Sequence, residues 1–245
     1  METTTDAPSF ARSRRQAAPQ DPALIWGPLA SLTDAAATAA GSGSVAITRG
    51  FDRNSRRRAK ALRDLLGERG VAAIELTPAP GSERLVADAD VTVVVNLIGA
   101  GSWQPYRIAA KLRAAVLTPK PGDGPADEVT RDVIALASDE GRRDVALSHV
   151  AVRSEEPASS RMVLEHDGGS LEVPGGWVTI TVHEQALRVE VGGRDIDEQV
   201  LTTGRVRLEV FDAPHRLVRD ELPIADFEGA VTLSAEPNGL LVRPV

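Results

Sequence analysis

The stretch VTVVVNLIGAG, Val91 to Gly101, decides the fold. Four valines and a threonine run together before the first polar side chain, with no alternation between an inner and an outer face. A strand of that kind is buried on both sides, which is the position of a central strand in a parallel sheet covered by helices. The run ends at Gly99 and Gly101, so a turn follows it directly. In an open parallel sheet, ligands sit beyond the carboxyl ends of strands, where turns and helix starts present backbone N–H groups to anions. The stretch therefore poses a functional question as well as a structural one: whether its turn holds a phosphate.

The flanking sequence continues the pattern of strand and helix. VAIT (Val45 to Thr48) is a short apolar strand, and RNSRRRAKALRDLLGERG after it carries Ala59, Leu62, Leu65 and Leu66 at helical spacing until Gly70. VAAIEL (Val71 to Leu76) is a second strand, followed by SERLVADAD as a short helix or turn and then by the opening stretch. SWQPYRIAAKLRA reads as a helix that settles after Pro105, with Ile108, Leu112 and Ala115 on one face. AVLTPKP is a fourth strand. ADEVTRDVIALASDEG is expected to be a helix, with Val129, Val133, Ile134 and Ala137 aligned and Gly141 as its stop. These elements predict a three-layer α/β domain with a parallel sheet over residues 44–143. Residues 1–43 are expected to form a flexible arm with a short apolar helix from Leu29 to Ala39, Trp26 and Leu29 packing on a neighbour, and a Gly41-Ser42-Gly43 linker.

Beyond Arg143 the helical period disappears. DVALSHVAV, RMVLEH, WVTITVHE, ALRVEV, GRVRLEV, HRLVRD, AVTLSA and LLVRPV are β-branched or alternating, with glycine pairs and Asn238-Gly239 between them. Residues 144–245 are thus predicted to be an all-β domain of antiparallel, sandwich-like strands. The fold class is α/β, then all-β.

Composition removes several kinds of function. The chain has 245 residues and no cysteine, which excludes disulfides, thiolate nucleophiles and cysteine-ligated metals. A net charge of −7 speaks against general nucleic-acid binding. The charge is uneven: from Asp144 onward there are 9 Arg and 18 acidic residues, net −9, leaving 19 basic and 17 acidic residues before it, net +2. The first part is the better host for a phosphate-bearing ligand. No run is long and apolar enough for a membrane span, and no secretory signal is evident, so a cytoplasmic location is expected. His149, His166, His183 and His215 lack metal-binding spacing, and no P-loop, GxGxxG or nucleophile elbow occurs.

Three turns at strand ends remain as candidates. The first, Thr48 to Ser55, brings Thr48, Arg49 and Arg53. The second, Asn96 to Ser102, brings Asn96, Gly99, Gly101 and Ser102. The third, Pro119 to Gly124, brings Gly122, Asp123 and Gly124, where Asp123 offers a carboxylate to magnesium or to the turn itself.

The order of these elements resembles the diacylglycerol kinase and NAD kinase superfamily over about Ser44 to Val245. By position, TRGFDRNS matches the family's first phosphate-contacting loop, NLIGAGS its GGDGT-type loop, and PKPGDG the glycine-rich turn that follows. RRDVALSHV resembles the lead into the β domain and VRDELP a late acidic turn. The resemblance implies ATP and Mg2+ as cofactors, phosphates held by the residues named above, a metal role for Asp123, and catalytic roles for Asp123, Asp220 and Glu221. NLIGAGS has no counterpart of the Asp in GGDGT. A rival register lays Pro121-Gly122-Asp123-Gly124-Pro125 on GGDGT and keeps that Asp, at the cost of extra chain before the loop. Two functions follow. One is an ATP-dependent kinase for a lipid or small hydroxyl acceptor. The other is a degenerate pseudo-kinase, a nucleotide-sensing or protein-interaction subunit with a protein partner or a homo-oligomeric state.

Overall fold

The computed structural model describes residues 29–245 apart from 80–81, 100, 119, 121–126, 140, 194–195 and 221. Most of the N-terminal arm, Trp26, and the candidates Gly122, Asp123, Gly124 and Glu221 therefore lie outside the described residues. Four parallel strands, β1 (Ser44–Thr48), β2 (Ala73–Leu76), β3 (Val91–Asn96) and β4 (Ala115–Thr118), lie in the order β2-β1-β3-β4. Helices α1 (Leu29–Ala40) and α2 (Arg53–Glu68) cover one face, where Leu32, Ala36, Leu62 and Leu66 meet Val45, Ile47, Val93 and Val95. On the other face, Ile108 and Ala109 of α3 (Gln104–Leu112) meet Ala46, Val94 and Val116. Alternate valines of β3 thus enter opposite cores. That double burial is the reason its sequence shows no polar alternation.

The remaining strands pair antiparallel with one another: β5 (Val129–Ser138), β6 (Arg143–Ala146), β7 (His149–Ser154), β8 (Arg161–His166), β9 (Gly169–Pro174), β10 (Trp177–His183), β11 (Ala186–Gly192), β12 (Gln199–Thr203), β13 (Arg205–Arg219) and β14 (Leu222–Pro244). They enclose a separate apolar core that includes Ile134, Val150, Met162, Leu164, Ile180, Val189, Leu208 and Leu233. The fold class is the one expected, a parallel α/β layer followed by packed antiparallel strands. The two halves are continuous through β14, whose last residues pair in parallel with β4, Leu241 beside Ala115 and Pro244 beside Thr118. Two pairs of expected strands are single long ones: GRVRLEV and HRLVRD form β13, and AVTLSA and LLVRPV belong to β14.

The expected helix in ADEVTRDVIALASDEG is a correction. Val129–Ser138 is strand β5, paired antiparallel with β14 on one side and β6 on the other. Adjacent residues Val133 and Ile134 are both buried because β5 separates two cores: Val133 packs with the α3 layer and Ile134 with the β core. Adjacent burial of this kind imitates the i, i+4 spacing of an amphipathic helix. The β-branched residues at 129, 130, 133 and 134 and the long partner strand decide for pairing.

His215 lies in β13 just past a break in its register with β14, and is only 1% exposed. Its Nδ1 is 2.8 Å from the Ala213 carbonyl, while Nε2 is buried without a partner. Burial pushes its pKa below the usual 6.5, against the opposing effect of that carbonyl. The native state thus prefers the neutral ring, whereas the unfolded chain takes up a proton near 6.5. Stability from this site is complete above that pH and is lost as pH falls below it, towards the native pKa. Urea unfolding of the wild type and of His215→Gln at pH 7.5 and 5.0 tests this: the acid sensitivity is expected to be smaller in the variant.

Candidate functional site

The carboxyl ends of β2, β1, β3 and β4 are neighbours. Thr48 pairs with Leu76 on one side and Asn96 on the other, and Val95 pairs with Leu117 next to Thr118. The turns after β1 and β3 therefore rise side by side. The described start of the third turn adjoins them, with the Lys120 N–H donating to the Val245 carbonyl.

In the first turn, Thr48 is buried and its hydroxyl donates to the Val95 carbonyl at 3.0 Å, tying β1 to β3. Arg49 donates through Nε to Glu75 at 2.9 Å, and Arg63 approaches the same carboxylate at 2.7 Å. Arg49 is consequently held against β2. Asp52 caps α2 by accepting from the Ser55 N–H at 2.8 Å, while the Ser55 hydroxyl accepts from the Gly50 N–H at 2.7 Å. A Cβ at residue 50 would stand 2.9 Å from the Asp52 carboxylate, so a larger residue there would displace the end of the capping side chain. The helix start that attracts an anion already has one in its own Asp52. Arg53, at the first position of α2, is exposed.

The second turn is closed by its own first residue. Asn96 is fully buried, and its Oδ1 accepts from the N–H groups of Ile98 and Gly99 at 3.0 and 3.1 Å. Its Nδ2 donates to the Gly99 carbonyl at 3.2 Å. Gly99 has φ +101°, a conformation that other residues rarely adopt. Gly101 is exposed, and Ser102 Oγ accepts a long bond from the Gln104 N–H at 3.4 Å. Two of the N–H groups that a phosphate would need are thus engaged by a side-chain amide.

Asp220 stands elsewhere, at the β13–β14 turn, only 4% exposed and with φ +47°. Its Oδ2 accepts from the Leu147 N–H at 2.8 Å. Its Oδ1 accepts from the Ser148 N–H and hydroxyl, both at 2.9 Å, and from the His149 N–H at 3.3 Å. This carboxylate fastens the β6–β7 turn. Beside it is a charged seam between the two halves that sequence reasoning did not single out. Arg219 pairs with Asp144, Arg107 donates to Glu83 at 3.0 Å, and Lys111 lies 3.5 Å from Glu83 and 3.8 Å from Asp144. Burial lowers the Arg219 pKa to about 10, and the like charge of Arg107 adds to that effect. Burial opposes ionisation of Glu83, but the hydrogen bond and charge of Arg107, with Lys111 and Arg219, hold its carboxyl below the usual value. Nothing in the spacing of these residues announces their meeting, since they come from α3, β6, β13 and the 3-10 turn Ser82–Val86.

Among the described residues no group of three or more His, Asp or Glu side chains is placed to hold a metal ion. No described helix is long and apolar enough to cross a membrane. An open groove of about 630 Å3 lies on the α1 side of the sheet, lined in part by Asp34, Thr38, Leu117, Glu128, Arg243 and Val245, and includes none of the candidate residues.

No family model matches the chain, and no curated protein matches it. Solved structures do. Yeast NADH kinase complexed with NADH superposes with a TM-score of 0.50 at 11% identity, covering 84% of each chain. An NAD kinase from Archaeoglobus fulgidus in complex with ATP superposes with a TM-score of 0.44 at 14% identity, covering 78% of this chain and 90% of that one. The chain shares its fold, a parallel α/β layer followed by packed antiparallel strands, with the yeast NADH kinase structure.

Proposed function

We propose that this kinase-like fold binds an adenine nucleotide at the carboxyl edge of β1, β3 and β4 and has lost efficient phosphoryl transfer, acting as a nucleotide-sensing subunit. The observation that carries the loss is Asp220. Its Oδ1 accepts from three donors and its Oδ2 from a fourth in a site only 4% exposed, so the carboxylate is committed to the β6–β7 turn instead of being presented to an acceptor hydroxyl. Arg49, bonded through Nε and Nη1, and Asn96, bonded through both amide atoms, support the same reading. Phosphoryl transfer relies on positioned donors and charge neutralisation, and binding outlasts rate when these are lost. The binding half of the proposal rests on the fold: ligands of open parallel sheets sit at this edge, and the yeast neighbour is one complexed with the dinucleotide NADH. Arg53, Gly101 and Ser102, with Gly122, Asp123 and Gly124 of the third turn, are assigned to nucleotide contact. Asp123 is the residue to which magnesium falls, and it would neutralise phosphate charge there.

The alternative is an active kinase for a lipid or small hydroxyl acceptor, with Asp123 and Glu221 supplying the acids. Thermal unfolding with ADP, ATP and Mg-ATP separates the readings when paired with an ATP-consumption assay. At ligand about 100-fold above Kd, stabilisation of about 2.7 kcal/mol is expected, a rise of about 5–10 °C in Tm. No shift with any nucleotide removes the binding proposal. ATP consumption that depends on NAD or on a lipid acceptor and is abolished in Asp123→Ala establishes the kinase instead.

A further inference from the structure

Phe51, Leu85 and Trp103 are 59%, 64% and 54% exposed. They occupy the chain segments that follow β1, β2 and β3, whose ends are neighbours in the sheet. The segments are also joined: Gln104, next to Trp103, donates to the Thr77 carbonyl at 3.0 Å and to Ser82 Oγ at 3.2 Å, beside the turn that carries Leu85. Single exposed apolar residues need no explanation, but large ones in three connections that leave neighbouring strand ends do.

Cations accompany them. Arg56 and Arg57 stand in the first turns of α2, and Arg84 adjoins Leu85; all three are exposed and form no ion pair among the described residues. The acids at this end are otherwise engaged: Asp52 caps α2, Glu75 holds Arg49 and Arg63, and Glu83 holds Arg107. This local excess of positive charge stands in a chain of net charge −7.

From this combination we infer that the rim of the carboxyl edge is a peripheral docking surface for an anionic lipid membrane. Aromatic and aliphatic side chains that enter the headgroup boundary, flanked by arginines that meet acidic lipids, are the two components such docking requires. A nucleic acid suits the rim less well, because Leu85 has no ring on which a base can stack. The inference is independent of nucleotide binding, and its test is run without nucleotide.

Sedimentation of the full chain is measured with vesicles of neutral phosphatidylcholine and with vesicles of equal parts phosphatidylcholine and phosphatidylglycerol. Binding to the anionic vesicles alone is expected, weakening as salt is raised from about 50 to about 500 mM. The variant Arg56→Gln/Arg57→Gln/Arg84→Gln is expected to bind on the order of 100-fold more weakly. Phe51→Ser/Trp103→Ser, with both changes on exposed side chains, is expected to lose binding while its urea midpoint is unchanged. The inference is overturned by absence of binding to anionic vesicles, by equal binding to neutral ones, by wild-type binding in both variants, or by preferential binding to single-stranded DNA in competition.

Discussion

Asp220→Ala is expected to lower the stability of the protein by about 3–5 kcal/mol, among the largest effects of any single polar replacement in it. The carboxylate accepts from the Leu147, Ser148 and His149 N–H groups and from the Ser148 hydroxyl. Truncation leaves three backbone donors in a nearly closed site, and each unsatisfied donor carries its own desolvation penalty. The positive φ at residue 220 adds a second requirement, which Asn and Asp meet better than Ala. Asp220→Asn is therefore expected to recover part of the loss through its one acceptor oxygen and its backbone preference. Urea unfolding of the three proteins measures both differences. A loss below about 1 kcal/mol in Asp220→Ala would mean that the turn does not depend on this carboxylate, and Asp220 would return as a candidate for chemistry.

The same residue illustrates what a sequence can reveal of such a site. VRDELP stands out as an acidic turn, yet the turn's geometry gives Asp220 a positioning role that only its distant partners at 147–149 disclose. The strands and helices of residues 44–118 were legible because each buries an apolar set against one sheet, at a spacing that the sequence records directly. β5 was not, because a strand between two cores buries neighbouring residues and so resembles a helix. β9 and β12 escaped for the opposite reason: they are short and largely exposed, leaving only a faint apolar pattern. In the second turn the glycines drew attention, but the group that shapes it is Asn96, whose side chain folds back on the N–H groups of Ile98 and Gly99. An asparagine at a strand end reads equally as a turn former and as a ligand contact, and only the hydrogen bonds distinguish the two.

Asp144→Ala is expected to cost about 2–4 kcal/mol, somewhat less than the loss for a fully buried pair, because the Asp144 side chain retains 28% exposure. Its partner decides the size of the effect. Arg219 is 8% exposed, has its Nε buried without an acceptor, and lies within electrostatic reach of Arg107, itself 7% exposed. Removing Asp144 leaves two buried guanidinium groups with Glu83, which is paired to Arg107, and Asp220 as the remaining acids whose charge acts on Arg219. Removing both partners is a different experiment. In Asp144→Leu/Arg219→Met no charge is stranded and the apolar side chains fill similar space, so the double variant is expected to lie within about 1–2 kcal/mol of the wild type. A double-mutant cycle by urea unfolding, with Arg219→Met and Asp144→Leu as its single arms, gives the coupling directly. A favourable coupling of about 2 kcal/mol or more is expected, and it identifies the seam as a lock in which each charge is tolerated only because the other is present. A coupling near zero shows a solvated surface pair, and the contact between the two halves must then rest on the apolar packing of Val133, Val145 and Leu240 against α3.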